Sequence, residues 1–149
     1  MMTVYINNIN PSNVNEVKQL KVNSKQMNFI ETVHECLNEA EKFSQWCPVA
    51  IYNDNEIVGF AMYGCFGKKK ETWIDRILID EKYQRQGIGR KAMRLLMFFV
   101  LDKYKVNTLY LSIVRENQVA RKLYEELGFY YTLVDDLNGE LIFKYSKGA

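Results

Sequence analysis

The chain has 149 residues, 48% hydrophobic and 26% charged, with a formal net charge of +2. That length suits a single domain, residues 1–149, which buries most of the surface its unfolded chain exposes, and the near balance of charge gives no broad basic surface for nucleic acid. Cys36, Cys47 and Cys65 show no C-x-x-C spacing and His34 is the lone histidine, which argues against a disulfide framework, a metal site and most hydrolytic triads.

Residues 3–7 read as a short strand. Pro11-Ser12-Asn13 then introduces a helix through about residue 22, with Glu16 placed to complete a capping box on Asn13. Thr32 and Glu35 repeat that box spacing, so a second helix is expected over 32–42, with His34 as an ordinary helix-surface residue. Strands over 48–52 and 56–63 flank Asn53-Asp54-Asn55, a polar turn suited to an antiparallel hairpin. Residues 64–70 lead to a strand over 72–80, and Lys68-Lys69-Lys70 read as a solvated tip. A helix over 87–103 places Ala92, Leu95, Leu96, Phe99 and Val100 near one face, expected to pack on the sheet. A strand over 110–114, a helix over 117–127 and strands over 129–134 and 141–145 complete the chain. The last strand is expected either to pair across a homodimer or to be covered within one subunit. The N-terminus lacks a charged-then-apolar signal segment and the apolar run 95–101 is far short of a bilayer span, so a cytoplasmic protein with no membrane partner is expected.

The segment Gln84-Arg85-Gln86-Gly87-Ile88-Gly89-Arg90 joins a strand to a long helix. Backbone N–H groups at a helix start lack intrahelical acceptors, and the macrodipole puts partial positive charge there, so the turn is an anion seat. Gly87 and Gly89 let a bulky pyrophosphate approach the backbone, while Arg85, Arg90 and Lys91 add positive charge. The order of strands argues against a dinucleotide fold, and no P-loop sequence is present. Downstream, Asn117 caps a helix that ends at Tyr124-Glu125-Glu126-Leu127, and Gly128 takes the left-handed position before Phe129.

Q-x-x-G-x-G at 84–89 resembles the acetyl-CoA motif of the GNAT acyltransferases, and N-x-x-A-x-x-x-Y-x-x-x-G-F, on Asn117, Ala120, Tyr124, Gly128 and Phe129, resembles their second signature. The β-α-α-β-β-β-α-β-α-β-β order is similar to that fold along nearly the whole chain, an α+β arrangement on a mixed sheet. The resemblance implies that the strands over 72–80 and 110–114 are parallel and splay apart, and that acetyl-CoA lies in the gap as cosubstrate. Its pantetheine arm would bond to backbone around Ile77, Leu78 and Ile79, its pyrophosphate would sit on residues 84–90, Gln84, Arg85, Gln86, Gly87, Ile88, Gly89 and Arg90, and Asn117 would touch it. Tyr124 occupies the position of the general acid that protonates the departing CoA sulfur. No covalent enzyme intermediate is needed, because acetyl-CoA is already an activated ester.

The segments Phe29-Ile30-Glu31-Thr32, 58–64, Trp73-Ile74-Asp75-Arg76 and 79–84 resemble bacterial spermine/spermidine (diamine) N-acetyltransferases of the Blt-operon type, with Arg85 where such proteins usually carry glycine. A polycationic acceptor needs carboxylates along a groove, and Glu31, Glu35 and Asp75 are the candidates. Glu35 serves equally well in a capping box, and Asp75 equally well as a partner of Arg76 or Arg94. Trp46 and Trp73 are available to stack on a cation or to fill the core. Two other readings stand beside a polyamine acetyltransferase: a member of the same family acting on a protein N-terminus, an aminoglycoside or another small amine, and a CoA-binding sensor without turnover.

Overall fold

Short-range chemistry sets most of the elements in the computed structural model, which describes residues 3–21, 33–84 and 86–148. The chain runs β1 (Val4–Asn8), α1 (Val14–Lys18), α2 (Val33–Lys42), β2 (Trp46–Asn53), β3 (Glu56–Phe66), β4 (Glu71–Ile79), a 3₁₀ turn (Glu81–Tyr83), α3 (Ile88–Tyr104), β5 (Thr108–Ile113), α4 (Gln118–Glu126), β6 (Tyr130–Asp135) and β7 (Leu141–Ser146). The expected element order and the α+β class are both found. Asp54, at φ 55, turns the β2–β3 hairpin, and the Lys68-Lys69-Lys70 tip is exposed after Gly67 at φ 74.

The seven strands form one sheet in the order β1-β2-β3-β4-β5-β7-β6. Every neighbour is antiparallel except β4 and β5, which are parallel and share the single register pair Trp73↔Tyr110. Alternation along β3 divides the core into two layers. Ala61 and Tyr63 join the α3 side with Ile74, Leu96 and Val100, whereas Phe60 and Met62 join Val17, Val33, Cys36 and Leu78 under α1 and α2.

The first helix and the buried face of α3 need correction, and one open alternative is decided. The first helix stops at Lys18 rather than near residue 22, closed by i→i+3 bonds from Gln19 N to Glu16 O and from Leu20 N to Val17 O. Its capping box does not form: Asn13, only 4% exposed, accepts from Asn10 N at 2.8 Å and donates to Asn8 O at 2.9 Å and Tyr52 Oη at 3.2 Å. A buried amide takes the partners that satisfy both of its ends, and here those lie on β1 and β2 rather than in the first helical turn. On α3, Ala92, Leu96 and Val100 face the sheet as expected, but Leu95 and Phe99 are 42% and 44% exposed, and Ile88, Met93, Met97 and Leu101 are buried instead. Apolar residues surround this helix almost completely, so the 92/96/100 spine belongs to two overlapping faces and tertiary packing selects one. Finally, β7 has both edges occupied within the chain, by β5 and β6, which is the one-subunit alternative for that strand. Thr32 of the second expected capping box lies outside the described residues.

Candidate active site

The site begins where β4 and β5 part. Beyond Trp73↔Tyr110 the strands share no further pair, while Ile77, Leu78 and Ile79 remain held on their other edge by Ala61, Phe60 and Gly59 of β3. That leaves one backbone edge of 77–79 facing a gap between two strands, where the alternate main-chain groups not used by β3 or by Gln84 are open to an extended ligand. The parting has a local cause on β4. Met62 pairs with Arg76 and Tyr63 with Ile74, so Asp75 is an extra residue in the ladder, a β-bulge that bends and twists the strand. Trp73 and Tyr110 close the narrow end, their rings stacked at 5.3 Å and 29°.

The next residues hold the end of the gap in shape. Asp80, 6% exposed, accepts from Lys21 N at 2.9 Å and from Lys82 N at 3.0 Å, capping the 3₁₀ turn. Gln84 donates from Nε2 to the Ile79 carbonyl at 2.8 Å, so its side chain supports the strand end. Gly87 has φ 79 as N-cap of α3, and the first turn of that helix carries no acidic residue. A Cβ at Gly89 would meet only Ile79 Cγ1 at 3.6 Å, so nothing in the fold itself demands glycine there. This is the arrangement of a helix N-terminus with bare backbone directed outward, suited to an anion. Gln86 donates to Lys82 O at 3.4 Å, and Arg90 forms an ion pair with Glu126 at 3.1 Å that ties the start of α3 to the end of α4. Arg85 lies outside the described residues.

On the far side, α4 is capped as expected, with Asn117 Oδ1 accepting from Ala120 N at 3.2 Å. The helix ends at Gly128, φ 104, where a Cβ would press on the Tyr145 ring at 3.2 Å. Tyr124 sits in its last turn, edge-on to Phe129 at 5.9 Å. Burial pushes its phenol up to about 12, partly offset by the Arg76 guanidinium of β4. Arg76 lies on β4 and Tyr124 on α4. Arg76 is the site residue that sequence reasoning missed as such; its place directly after the bulge is the only signal, and a bulge is not written in the letters.

Of the three carboxylates expected to face an acceptor, Glu31 lies outside the described residues. Asp75 is the bulge residue, with Oδ2 buried and its carbonyl accepting from Arg76 Nη1 at 3.0 Å. Glu35 is on α2, lining a shallow open depression with Glu39, Lys42 and Phe43. Asp75 therefore lies on β4, the strand that borders the gap, whereas Glu35 belongs to the helical layer. Among the described residues no cluster of His, Cys, Asp and Glu is disposed to hold a metal ion, and no helix is long and apolar enough to cross a membrane.

A mixed sheet opened between two parallel strands, with a glycine turn after the first and a helix carrying a half-buried tyrosine after the second, defines an acyl-CoA transferase fold. The profile of the acetyltransferase (GNAT) family matches residues 16–129, and the chain belongs to that family. It is 35% identical over 147 residues to the spermine/spermidine N(1)-acetyltransferase of Bacillus subtilis (strain 168), covering 95% of this chain and 97% of that one. Two solved structures share the fold: the spermidine N-acetyltransferase from Vibrio cholerae in complex with CoA and spermine, and the PaiA N-acetyltransferase from Thermoplasma acidophilum in complex with coenzyme A. The first has a TM-score of 0.74 at 16% identity, over 95% of this chain and 92% of that one. The second has a TM-score of 0.70 at 14% identity, over 97% and 99%.

Proposed function

We propose that this chain transfers the acetyl group of acetyl-CoA to an amine of a spermine- or spermidine-type polyamine, by direct attack within a ternary complex. The observation that supports the chemistry is the parting of β4 and β5, with the N-terminus of α3 following β4 and Tyr124 carried by α4, which follows β5. The choice of acceptor rests on the 35% identity to a spermine/spermidine N(1)-acetyltransferase along 95% of the chain.

In this reading the N–H groups of residues 77–79 bind the pantetheine arm and polarise the thioester carbonyl, so that negative charge forming on its oxygen meets a donor already in place. The turn from Gln84 to Arg90 receives the pyrophosphate, with Gly89 leaving room for it and Arg90 and Lys91 supplying charge. The amine attacks as the free base, its proton passing to water; the carbon–sulfur bond breaks and Tyr124 gives its proton to the departing thiolate. A phenol whose pKa is held near 12 stays protonated at neutral pH, as that role requires. Asp75, on the strand that borders the gap, attracts an ammonium group of the acceptor, and the Trp73–Tyr110 stack offers a π surface at the closed end of the gap.

Thiol release from acetyl-CoA, followed against spermine, spermidine, putrescine, lysine, an aminoglycoside and N-terminal peptides, tests the proposal. Turnover with polyamines and Asp75→Asn raising KM for the polyamine without raising that for acetyl-CoA are the expected results. Turnover on another amine alone would overturn the choice of acceptor and leave the transfer chemistry standing. Tight CoA binding with no transfer to any amine would overturn both.

A further inference from the structure

The two faces of the sheet are occupied differently beside the gap. Leu109, Leu111 and Ile113 of β5 and Leu141 and Phe143 of β7 are buried in the α3 layer, so the alternate residues Tyr110, Ser112, Ile142 and Lys144 face the other way. The core beneath α1 and α2 lies on that second side, and among the described residues it draws on β2, β3 and β4 but on nothing from β5, β6 or β7. The helices α1 and α2 thus leave this half of the face uncovered, and its side chains are half-buried. Tyr124 packs with the α3 layer, on the opposite face.

The uncovered face carries ordered chemistry along β5. Tyr110 marks the end of pairing with β4, its ring stacked on Trp73 at 5.3 Å, and Lys144 Nζ lies 5.9 Å from the Tyr110 centroid. Two residues further, about 7 Å at the rise of a strand, Ser112 stands where β5 borders the open gap. Its hydroxyl donates to Glu140 Oε1 at 3.3 Å, which brings onto this face a carboxylate from the residue just before β7. The backbone of Glu140 is held too: its N–H donates to Asp136 Oδ1 at 2.9 Å and its carbonyl accepts from Asp136 N at 2.9 Å. A carboxylate fixed at both backbone and side chain loses little freedom when a cation binds it.

No cation of the chain answers this charge. Among the described residues Glu140 forms no ion pair, whereas Asp135, Glu125 and Glu126 nearby are paired with Arg115, Arg121 and Arg90. Lys144, four residues along and about 13 Å away in backbone distance, is placed over Tyr110 instead. Asp75, with Oδ2 buried, borders the gap from β4, so Glu140 is the carboxylate on the β5 side.

We propose that Glu140, directed by Ser112, is a specificity-determining residue that binds an ammonium group of the polyamine other than the amine being acetylated. The assignment rests on the polyamine reading given above. With Tyr124 and the departing sulfur on the α3 side, the amine comes to the thioester from the face that bears Ser112 and Glu140. A charged amine farther along the same chain then meets a carboxylate already in place, and a charge-assisted hydrogen bond forms at no cost in side-chain ordering.

Steady-state kinetics with spermidine and acetyl-CoA, calorimetric binding of spermidine to the CoA complex, and thermal melts of each variant test the proposal. Glu140→Gln is expected to raise KM and Kd for spermidine about tenfold, with kcat, KM for acetyl-CoA and melting temperature unmoved. Glu140→Asp should restore part of that affinity, and Ser112→Ala should weaken spermidine binding about threefold by releasing the carboxylate. An unchanged KM for spermidine in Glu140→Gln, or a rise matched by that for acetyl-CoA, would overturn the role of Glu140 and leave the acceptor assignment standing. Wild-type protein that neither binds nor acetylates spermidine would overturn both, and Ser112→Ala decides the matter if Glu140→Gln does not fold.

Discussion

Gly87 and Gly89 stand two positions apart and are glycine for different reasons. Gly87 needs the left-handed backbone at φ 79, so Gly87→Ala should cost about 1–2 kcal/mol of stability. A Cβ at Gly89 would make only ordinary van der Waals contact, with Ile79 Cγ1 at 3.6 Å, and Gly89→Ala should leave the melting temperature equal or higher. The same change should weaken CoA binding about tenfold or more, because the methyl group occupies the ligand's approach. Thermal melts with and without CoA read both effects, and unchanged CoA affinity in Gly89→Ala would exclude the turn as the anion seat. Tyr124→Phe keeps the edge contact with Phe129 and loses a hydroxyl that has no hydrogen-bond partner among the described residues. Stability should change by less than about 1 kcal/mol. The expected fall in kcat is about 10²-fold with KM for acetyl-CoA unchanged, and steady-state kinetics with near-normal kcat would exclude the proton-donor role.

Between elements, β3 approaches β4 closely at Gly59, where an added Cβ would lie 2.4 Å from the Leu78 carbonyl oxygen. Backbone yields less readily than a side-chain tip, so Gly59→Ala should cost about 2–3 kcal/mol, seen as a lower urea midpoint at constant slope. The strand edge used by the proposed pantetheine contact would shift with it, raising KM for acetyl-CoA even where the protein remains folded. The bulge at Asp75 works in the other direction. It relaxes the pairing of β4 at the point where the sheet must open, so backbone irregularity and functional gap are one feature.

For the molecule as a whole, buried phenols tie stability to alkaline pH. Burial raises Tyr63, and Tyr124 to about 12, against an ordinary tyrosine value near 10. The unfolded chain therefore loses these protons first, so the stabilising contribution is complete below pH about 10 and is lost as pH rises toward about 12. A melting temperature that is level to about pH 9.5 and then falls is expected, with a shallower fall in Tyr124→Phe. An identical alkaline limb in wild type and variant would show that Tyr124 is not buried in this way.

Features that depend on a few neighbouring residues could be read from the letters: the glycine turn before α3, the Asn117 cap, the left-handed Gly128 and the order of strands and helices. Each expresses a local backbone requirement, a positive φ, a missing acceptor or an alternation of polarity, which adjacent side chains satisfy or fail to satisfy. The choice of face on α3, the use of Asn13 as a tie between β1 and β2, the Asp75 bulge and the influence of the Arg76 charge on Tyr124 depend on residues far apart in the chain. Whether a buried amide caps its own helix or binds a distant strand, and where a ladder slips by one residue, is settled by which partners packing brings within reach, and packing is a property of the assembled sheet.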